Sequence, residues 1–341
     1  MMIKKKRITA ALLALGLGAV TMFSQFPVSA AEETAQNTDA AAQTADPSVV
    51  VTNDIDGWPQ ASDISSAAAI VMETSTNTVL YSKNADQPLY PASAVKIMTC
   101  LVALENSSLD EQVTMTATGV SGVTDGGANI SSQLDEVFTM EQCLYAIMVA
   151  SANDIALQIA EHVGGSVDGF VQQMNTRAQE LGCTNTVFTN PTGLPDDNQH
   201  TTAHDMALIM QAAIQNESFR TIAAATSYTI PATNKAAARN LTSKFTMTDT
   251  GSTGFYEGCI GGKEGYTEAS GSTLVCAAQR NGMTLISVVL KGASGQTAPD
   301  AASILNYGFD QFVTLSLGDS DFSIISGGDV VVPAAPVPTS L

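Results

Sequence analysis

Two residues with complementary chemistry, Ser93 and Lys96, lie three positions apart at the start of a strongly apolar segment. Residues with this spacing share one face of a helix, so the amine of the lysine can reach the hydroxyl of the serine. A serine becomes a good nucleophile when a neighbouring base accepts its proton, and a lysine can be that base only when it is neutral. The spacing therefore predicts a serine nucleophile activated by a lysine, provided that burial or a second cation lowers the lysine pKa from its ordinary value of about 10.4.

Two further short motifs carry polar side chains that could complete such a site. Ser151 and Asn153 lie in a short break between two predicted helices, where side chains can project into a cleft. Lys263 and Gly265 lie in a predicted strand, and a glycine there allows a ligand to approach the backbone closely. Each motif alone is weak, because a serine is commonly a helix cap and a lysine commonly a surface residue. The combination of S-x-x-K, S-x-N and K-x-G in this order is much more specific.

The elements that must position these motifs are strands at both ends of the sequence and helices in its middle. Strands are predicted at 66–74, 79–81, 256–267, 272–280 and 284–291. Helices are predicted at 92–104, 139–150 (behind a capping box of Thr139 and Gln142), 154–163, 167–181, 203–215 and 300–312. The predicted fold class is therefore α+β, with one antiparallel sheet built from both chain ends, covered by helices, and a mostly helical insertion.

The composition excludes several classes of protein. With 341 residues, 45% of them hydrophobic, the chain can form one large cored domain or two modest ones. Because 33 acidic residues face 14 basic ones, the net charge of −19 would repel a phosphate backbone, and no nucleic acid partner is expected. No apolar run of 18 or more residues follows the N-terminal region, which argues against a polytopic membrane protein.

The chain is predicted to have four parts. Residues 1–30 have the pattern of a signal peptide, with a basic start, an apolar stretch and a small-residue cleavage site at Val28–Ala30. Residues 31–60 are predicted to be a disordered linker rich in Ala, Thr and acidic residues. One cored domain is expected at 61–312 and a short C-terminal tail at 313–341. The protein is therefore expected to be exported and extracellular, or associated with the cell wall or membrane surface; an uncleaved membrane anchor is the alternative.

Metal and disulfide sites find little support in the sequence. The five cysteines are odd in number and include no C-x-x-C, so they are expected to be mostly buried thiols. His200 and His204 are four residues apart beside Asp205, but the helix is predicted to begin near Ala203 and leaves His200 in a loop. No H-E-x-x-H motif is present, and no metal is expected.

Together the motifs resemble those of the penicillin-binding serine D-Ala-D-Ala carboxypeptidases, the low-molecular-mass type that trims peptidoglycan stem peptides. The resemblance covers about residues 60–312 and depends on Tyr90–Thr99, Ser151–Asp154, Asn190–Leu194, Thr201–Met206 and Gly262–Thr267. It implies a sheet-and-helix fold of the transpeptidase type, with no metal and no organic cofactor. It also implies that stem peptides ending in D-Ala-D-Ala are the substrate and that β-lactams are inhibitors.

The resemblance implies a role for each matched residue. Ser93 would be the acylated nucleophile and Lys96 its base, while Ser151 would relay a proton towards the leaving D-alanine. Asn153 would hydrogen-bond the peptide of the substrate. The backbone N–H groups of Ser93 and Tyr266 would form the oxyanion hole, and the helix dipole would assist at Ser93.

The third motif carries a cation and one departure from the family pattern. Lys263 would supply positive charge that keeps Lys96 neutral. The residue after this lysine is usually a threonine whose hydroxyl donates to the terminal carboxylate of the substrate, but here it is Glu264, which only accepts hydrogen bonds when ionised. Strand alternation predicts that Glu264 and Lys263 point to opposite faces, although an edge strand can offer both to a cleft. We expect Arg239, one of the few cations, to offset Glu264 or to bind the substrate carboxylate itself.

Three functions are compatible with these residues. The first is an exported serine DD-carboxypeptidase that removes the terminal D-alanine from peptidoglycan stem peptides through an acyl-enzyme on Ser93. A class A-like β-lactamase shares S-x-x-K, but between residues 151 and 263 no glutamate has an asparagine four positions later, the pattern that positions a deacylating water. The third is a catalytically weak protein that binds the cell wall, with Glu264 as the lesion.

Overall fold

The structure, a computed structural model, describes residues 50–121, 127–317 and 328–334. The predicted signal peptide at 1–30 lies outside the described residues, and so does most of the predicted linker. Within the described ranges, no helix combines the length and the apolar character that crossing a membrane requires.

Strands and helices follow one another along the chain largely as the sequence predicts. The strands are β1 (Ala68–Glu73), β2 (Val79–Lys83), β3 (Gln112–Thr114), β4 (Val137–Thr139), β5 (Ser227–Ile230), β6 (Arg239–Thr242), β7 (Cys259–Thr267), β8 (Gly271–Arg280), β9 (Met283–Gly292), β10 (Phe312–Leu317) and β11 (Gly328–Pro333). The helices are α1 (Val95–Asn106), α2 (Ala117–Ser121), α3 (Met140–Val149), α4 (Asn153–Gly164), α5 (Val167–Glu180), α6 (Ala203–Ala213), α7 (Glu217–Ala223) and α8 (Thr297–Gln311).

A five-stranded sheet with the order β2-β1-β9-β8-β7 forms the centre of the fold. Every neighbouring pair is antiparallel, and the strands come from the two ends of the domain. The predicted α+β class, with a sheet built from both ends and a helical middle, is therefore confirmed. β7 is an edge strand, so one side of its backbone is not used for pairing within this sheet. The K-x-G motif lies on this edge.

Helices cover both faces of the sheet. Alternate residues of a strand point to opposite faces, so Ile70 belongs to a large core with α1, α3, α4 and α6, whereas Val71 belongs to a second core that includes Ile304 of α8. All of β1 is buried, as expected for a strand covered on both sides. Each fully buried aliphatic side chain of this kind stabilises the fold by about 1.5–3 kcal/mol.

The link between α3 and α4 turns sharply at Ser151. α3 begins with the predicted capping box, in which the N–H of Gln142 donates to Thr139 Oγ1 (3.2 Å) and the N–H of Thr139 donates to Gln142 Oε1 (3.0 Å). Ser151 follows two residues after the end of α3 with a φ of 57°, in the left-handed region that residues with a Cβ seldom adopt. This turn lets α4 begin at Asn153, so both polar residues of S-x-N lie at a helix end.

The helix that carries Lys96 begins later than the sequence predicts. Ala92–Ala94 form a 3₁₀ turn and α1 starts at Val95. Ala92 is buried and has a φ of 49°, a strained conformation that persists only where the surroundings fix it. Here Thr273 Oγ1 donates to the carbonyl of Pro91 (3.1 Å), and Gly193 packs so closely that a Cβ on it would lie 2.0 Å from the carbonyl oxygen of Ala92.

The segment before β1 differs from the sequence prediction, and the predicted tail takes part in two strands. Residues 50–60, assigned to the linker by their composition, pack on the domain: Val50 belongs to the second core, and the Trp58 ring lies 5.0 Å from the Phe312 ring between centroids. The linker prediction is wrong for these residues because a few large apolar side chains are enough to anchor them. The predicted tail contributes β10 and β11, which pair antiparallel, while residues 318–327 and 335–341 lie outside the described ranges.

All five cysteines are free thiols, and all but Cys259 are buried. In the ladder between β7 and β8, Cys259 lies opposite Ala278 and Cys276 lies opposite Gly262. Cys259 and Cys276 are therefore not opposite each other in this ladder.

Candidate active site

A cleft of about 790 Å³ brings the three motifs together. It lies between the edge strand β7, the turn before α1, the link between α3 and α4, and the loops that follow α5 and β6. The motif residues that line it are Ser93, Ser151, Asn153, Glu264, Gly265 and Tyr266.

The amine of Lys96 lies behind this cleft with three polar neighbours. Its Nζ is 3.2 Å from Ser93 Oγ and 2.8 Å from Asn153 Oδ1, and it also donates to the backbone carbonyl of Thr192. The Lys96 side chain is fully buried. A neutral amine has two N–H donors and one lone pair, so the two carbonyl oxygens take the donors and leave the lone pair for the hydroxyl of Ser93. This arrangement suits proton transfer from Ser93 to Lys96.

The surroundings of Lys96 favour its neutral form. Burial, and next the ammonium of Lys263, hold the pKa of Lys96 well below its ordinary value. The carboxylates of Glu264 and Asp154 act in the opposite direction and raise it. Because burial is the largest of these effects on the pKa of Lys96, the amine is neutral and can act as a base.

The Asn190–Leu194 loop supplies one of the acceptors for Lys96. Asn190 Oδ1 accepts from the N–H (3.2 Å) and the hydroxyl (2.8 Å) of Thr192, and Thr99 of α1 donates to the carbonyl of Pro191 (2.8 Å). These bonds fix the Thr192 carbonyl over Lys96. Sequence reasoning matched this loop to the family but assigned it no role; the Asn-Pro-x-Gly turn pattern was the available signal.

The S-x-N motif is held by a neighbouring loop. The N–H of Asn153 donates to the carbonyl of Ala128 (2.8 Å), and the next residue, Asp154, accepts from the N–H (3.1 Å) and the hydroxyl (2.8 Å) of Ser132. Asp154 therefore ties the 127–132 loop to the start of α4 and builds one wall of the cleft, a role that the sequence did not reveal. Ser151 lines the cleft beside it and is 9% exposed.

Lys263 and Glu264 form an ion pair at the edge of β7. Nζ of Lys263 lies 2.7 Å from Oε1 of Glu264 and donates to the Glu264 carbonyl oxygen at 3.0 Å. The Lys263 side chain is fully buried, whereas that of Glu264 is 22% exposed. Strand alternation directs the two side chains to opposite faces, but their charged groups meet at the edge of the sheet. Its second oxygen, Oε2, is buried without a hydrogen-bond partner among the described residues.

Gly265 brings the edge strand against the nucleophile. A Cβ at this position would lie 2.7 Å from the backbone nitrogen of Ser93 and 2.6 Å from Thr273 Oγ1, so only glycine allows this approach. Tyr266 follows with a side chain that is 67% exposed in the cleft. The two N–H groups that the resemblance implies for an oxyanion hole therefore belong to neighbouring segments of backbone.

Arg239 lies outside this cluster. Its guanidinium forms two hydrogen bonds with the carboxylate of Glu136, at 2.7 and 2.9 Å, and lies 5.7 Å from the centre of the Phe138 ring. Glu136 is fully buried and 103 residues away in sequence. The expectation that Arg239 offsets Glu264 or binds the substrate carboxylate is corrected, because its charge is committed to a buried partner and Lys263 is the cation that meets Glu264.

Arg239→Met is expected to lower the stability of the fold and to leave acylation of the folded protein unchanged. Burial alone would raise the pKa of Glu136, but hydrogen bonds from Arg239 and Thr233 hold it below its ordinary value. Removing Arg239 leaves a buried carboxylate without its charged partner, which costs about 3 kcal/mol.

Thermal unfolding at several pH values checks this prediction. A lowered pKa stabilises the fold above the unfolded pKa of Glu136, and this contribution is lost as the pH falls through the folded pKa. The gap in Tm between wild type and Arg239→Met should therefore be widest near neutral pH and narrow in acid. Lys235→Met, which removes an exposed cation, is the control. If Arg239→Met has the Tm of wild type but is acylated more slowly, Arg239 binds the substrate after all.

The two histidines have separate partners. His204 Nδ1 lies 3.1 Å from Asp86 Oδ1, and His200 Nδ1 lies 3.0 Å from the carbonyl of Asn198. Over the part of the chain that the structure describes, no group of His, Cys, Asp and Glu residues has an arrangement that could hold a metal ion.

The fold and the site together define a class of protein: an α+β domain that presents a serine beside a buried lysine at the edge of an antiparallel sheet. The family model of the D-alanyl-D-alanine carboxypeptidases, peptidase S11, matches residues 56–294. The chain belongs to this family.

Individual relatives agree with this assignment. The chain is 35% identical over 255 residues to D-alanyl-D-alanine carboxypeptidase DacF of Bacillus subtilis, a match that covers 72% of this chain and 63% of that protein. It is 32% identical over 249 residues to DacB2 of Mycobacterium tuberculosis, which covers 70% of this chain and 81% of that protein. The crystal structure of the Streptomyces K15 DD-transpeptidase superposes with a TM-score of 0.69 at 30% identity, over 74% of this chain and 100% of that one.

Proposed function

We propose that the protein is an exported serine DD-carboxypeptidase that removes the terminal D-alanine from peptidoglycan stem peptides through an acyl-enzyme on Ser93. The observation that carries this proposal is the fully buried amine of Lys96, 3.2 Å from Ser93 Oγ and depressed in pKa. The relatives named D-alanyl-D-alanine carboxypeptidases support the substrate class. The signal-peptide pattern of residues 1–30 supports export.

The first half-reaction forms an ester on Ser93. Oγ attacks the carbonyl carbon between the two D-alanines while neutral Lys96 accepts the hydroxyl proton. The negative charge that develops on the carbonyl oxygen is bound by the N–H groups of Ser93 and Tyr266. The C–N bond then breaks as Ser151 relays the proton held by Lys96 to the nitrogen of the leaving D-alanine, which returns Lys96 to its neutral form.

The second half-reaction releases the shortened peptide. Water attacks the ester carbonyl and gives a proton to the neutral amine of Lys96, and the same N–H groups bind the second oxyanion. The bond to Ser93 Oγ breaks, and the oxygen recovers a proton from Lys96. The products are D-alanine and a peptide that is one residue shorter.

Incubation with benzylpenicillin followed by mass spectrometry tests the proposal. A long-lived penicilloyl adduct on the peptide that contains Ser93, together with D-alanine release from an N-acylated L-Lys-D-Ala-D-Ala peptide, is the expected result. Rapid loss of the adduct with release of hydrolysed penicillin would indicate a β-lactamase instead. Absence of both the adduct and the D-alanine release would indicate a protein that binds the cell wall without catalysis.

Glu264→Gln is expected to move the acidic limb of the pH profile of kcat/KM to lower pH. Glu264 raises the pKa of Lys96, so its removal lowers that pKa further and leaves the charge of Lys263 uncompensated. Since only neutral Lys96 is active, a lower pKa keeps the enzyme active at lower pH.

The profile should be measured with the same acylated peptide for wild type, Glu264→Gln and a control. Glu268→Gln removes an exposed carboxylate four residues further on, outside the residues that line the cleft. A limb that stays in place or moves upward in Glu264→Gln would contradict the role of this carboxylate.

A further inference from the structure

The cleft carries opposite charges on two different elements. Within the described ranges, the residues that line it include one basic residue, Lys244, and one acidic residue, Glu264. The expected substrate ends in a carboxylate, and a cation of the cleft must bind that carboxylate. The candidates for that cation are the basic residues of β7 and of the segments next to it.

The edge strand itself does not offer a free cation. The ammonium of Lys263 is fully buried, does not line the cleft, and donates to both the carboxylate and the carbonyl oxygen of Glu264. Of this pair, only Glu264 lines the cleft, and its side chain is partly exposed. An ionised carboxylate only accepts hydrogen bonds and repels a second carboxylate.

The residue next to Lys244 packs on the part of β7 that carries the Lys263–Glu264 pair. The next residue, Phe245, packs on Gly262, because a Cβ on that glycine would lie 2.6 Å from Phe245 Cζ. Gly262 comes just before Lys263 on β7, whereas Gly265 marks the position of Ser93. The backbone of Lys244 is therefore next to the part of β7 that precedes Gly265, which lies against Ser93.

The backbone on both sides of Lys244 is fixed while its side chain is exposed. The N–H of Ser243 donates to the carbonyl of Thr226 (2.8 Å), and the N–H of Phe245 donates to Ser243 Oγ (3.0 Å). The Phe245 side chain is buried at 3% exposure. A long cationic side chain on a fixed stem can reach into the cleft without ordering the loop first.

We propose that Lys244 binds the terminal carboxylate of the substrate and sets the preference for a free C-terminus. This inference rests on the proposed function, and it names the cation that replaces the engaged ammonium of Lys263. Glu264 excludes the carboxylate from β7 and directs it to Lys244.

Two peptides separate this role from a structural one. The first is N-acyl-L-Lys-D-Ala-D-Ala with a free carboxylate, and the second is the same peptide with a C-terminal amide. Lys244→Met is expected to lower kcat/KM for the acid by about tenfold or more, mainly through KM, because a charge-assisted contact with the substrate carboxylate is lost. The loss on the amide should be far smaller, so the acid-to-amide ratio falls. Lys244→Arg should restore most of the ratio.

The control is Lys235→Met, which changes the net charge equally at a lysine that does not line the cleft. Its acid-to-amide ratio should equal that of wild type. If Lys244→Met leaves the ratio unchanged while wild type cleaves the acid, the assignment of Lys244 is overturned and the proposed function stands. If wild type forms no penicilloyl adduct and cleaves neither peptide, the proposed function fails, and the assignment of Lys244 fails with it.

Discussion

Ser93→Ala is expected to abolish penicilloyl labelling and to reduce D-alanine release by about 10⁴-fold or more. The substitution removes the atom that forms the covalent bond, and among the described residues no other hydroxyl lies within hydrogen-bond distance of the Lys96 amine. The side chain of Ser93 is only partly buried, so the free energy of unfolding should change by no more than about 0.5 kcal/mol.

Mass spectrometry of the intact protein, D-alanine release and thermal unfolding check this prediction together. Ser62→Ala, at an exposed serine far from the motifs in sequence, should label and turn over as wild type does. An adduct that forms at the normal rate on Ser93→Ala, for example on Ser151, would show that the nucleophile is elsewhere.

The large elements of the fold were predictable because their sequence signals are local. The capping box of Thr139 and Gln142 marks the start of α3, and the Asn281-Gly282 turn marks the hairpin between β8 and β9. The two ends of the chain each contribute apolar strands that need a common partner, which is why the sheet could be inferred. These signals depend on neighbours in sequence and not on distant contacts.

The short elements were not predicted because tertiary contacts determine them. β5 and β6 are four residues each, and the link between them is held by Thr233, whose hydroxyl donates to Glu136 Oε1 (2.5 Å) nearly a hundred residues away. The first residues of the expected helix at Ala92 form a strained turn because Gly193 and Thr273 pack on it. Propensity cannot anticipate such contacts, since it considers each segment alone.

The site shows the same division between local and distant information. The spacing of three residues predicts the contact between Ser93 and Lys96, and the two side chains are in contact in the structure. The partner of Arg239 could not be predicted, because proximity to β7 in sequence says nothing about Glu136 on another element. For Glu264, strand alternation gives the direction of the Cβ but not where a flexible side chain places its carboxylate at an open edge.

Lys96→Ala is expected to slow acylation by about 10³-fold and to be rescued by n-propylamine. The substitution deletes the base together with the methylene groups that hold it, and n-propylamine has the same atoms as the deleted part. The vacated space adjoins the carbonyl of Thr192 and the Oδ1 of Asn153, which can accept from the amine as they do from Lys96. The lone pair of the added amine would then face the hydroxyl of Ser93.

The pH dependence of this rescue separates a base from a structural side chain. Free n-propylamine has an ordinary alkylamine pKa, close to the value of about 10.4 for lysine, so the rescued rate should rise about tenfold per pH unit well below it. Wild type should instead reach its plateau at lower pH, because burial and Lys263 depress the pKa of Lys96. The amine should not rescue Ser93→Ala. If Lys96→Ala acylates at the wild-type rate, or if its rescue follows the protonated amine, Lys96 does not accept the proton of Ser93.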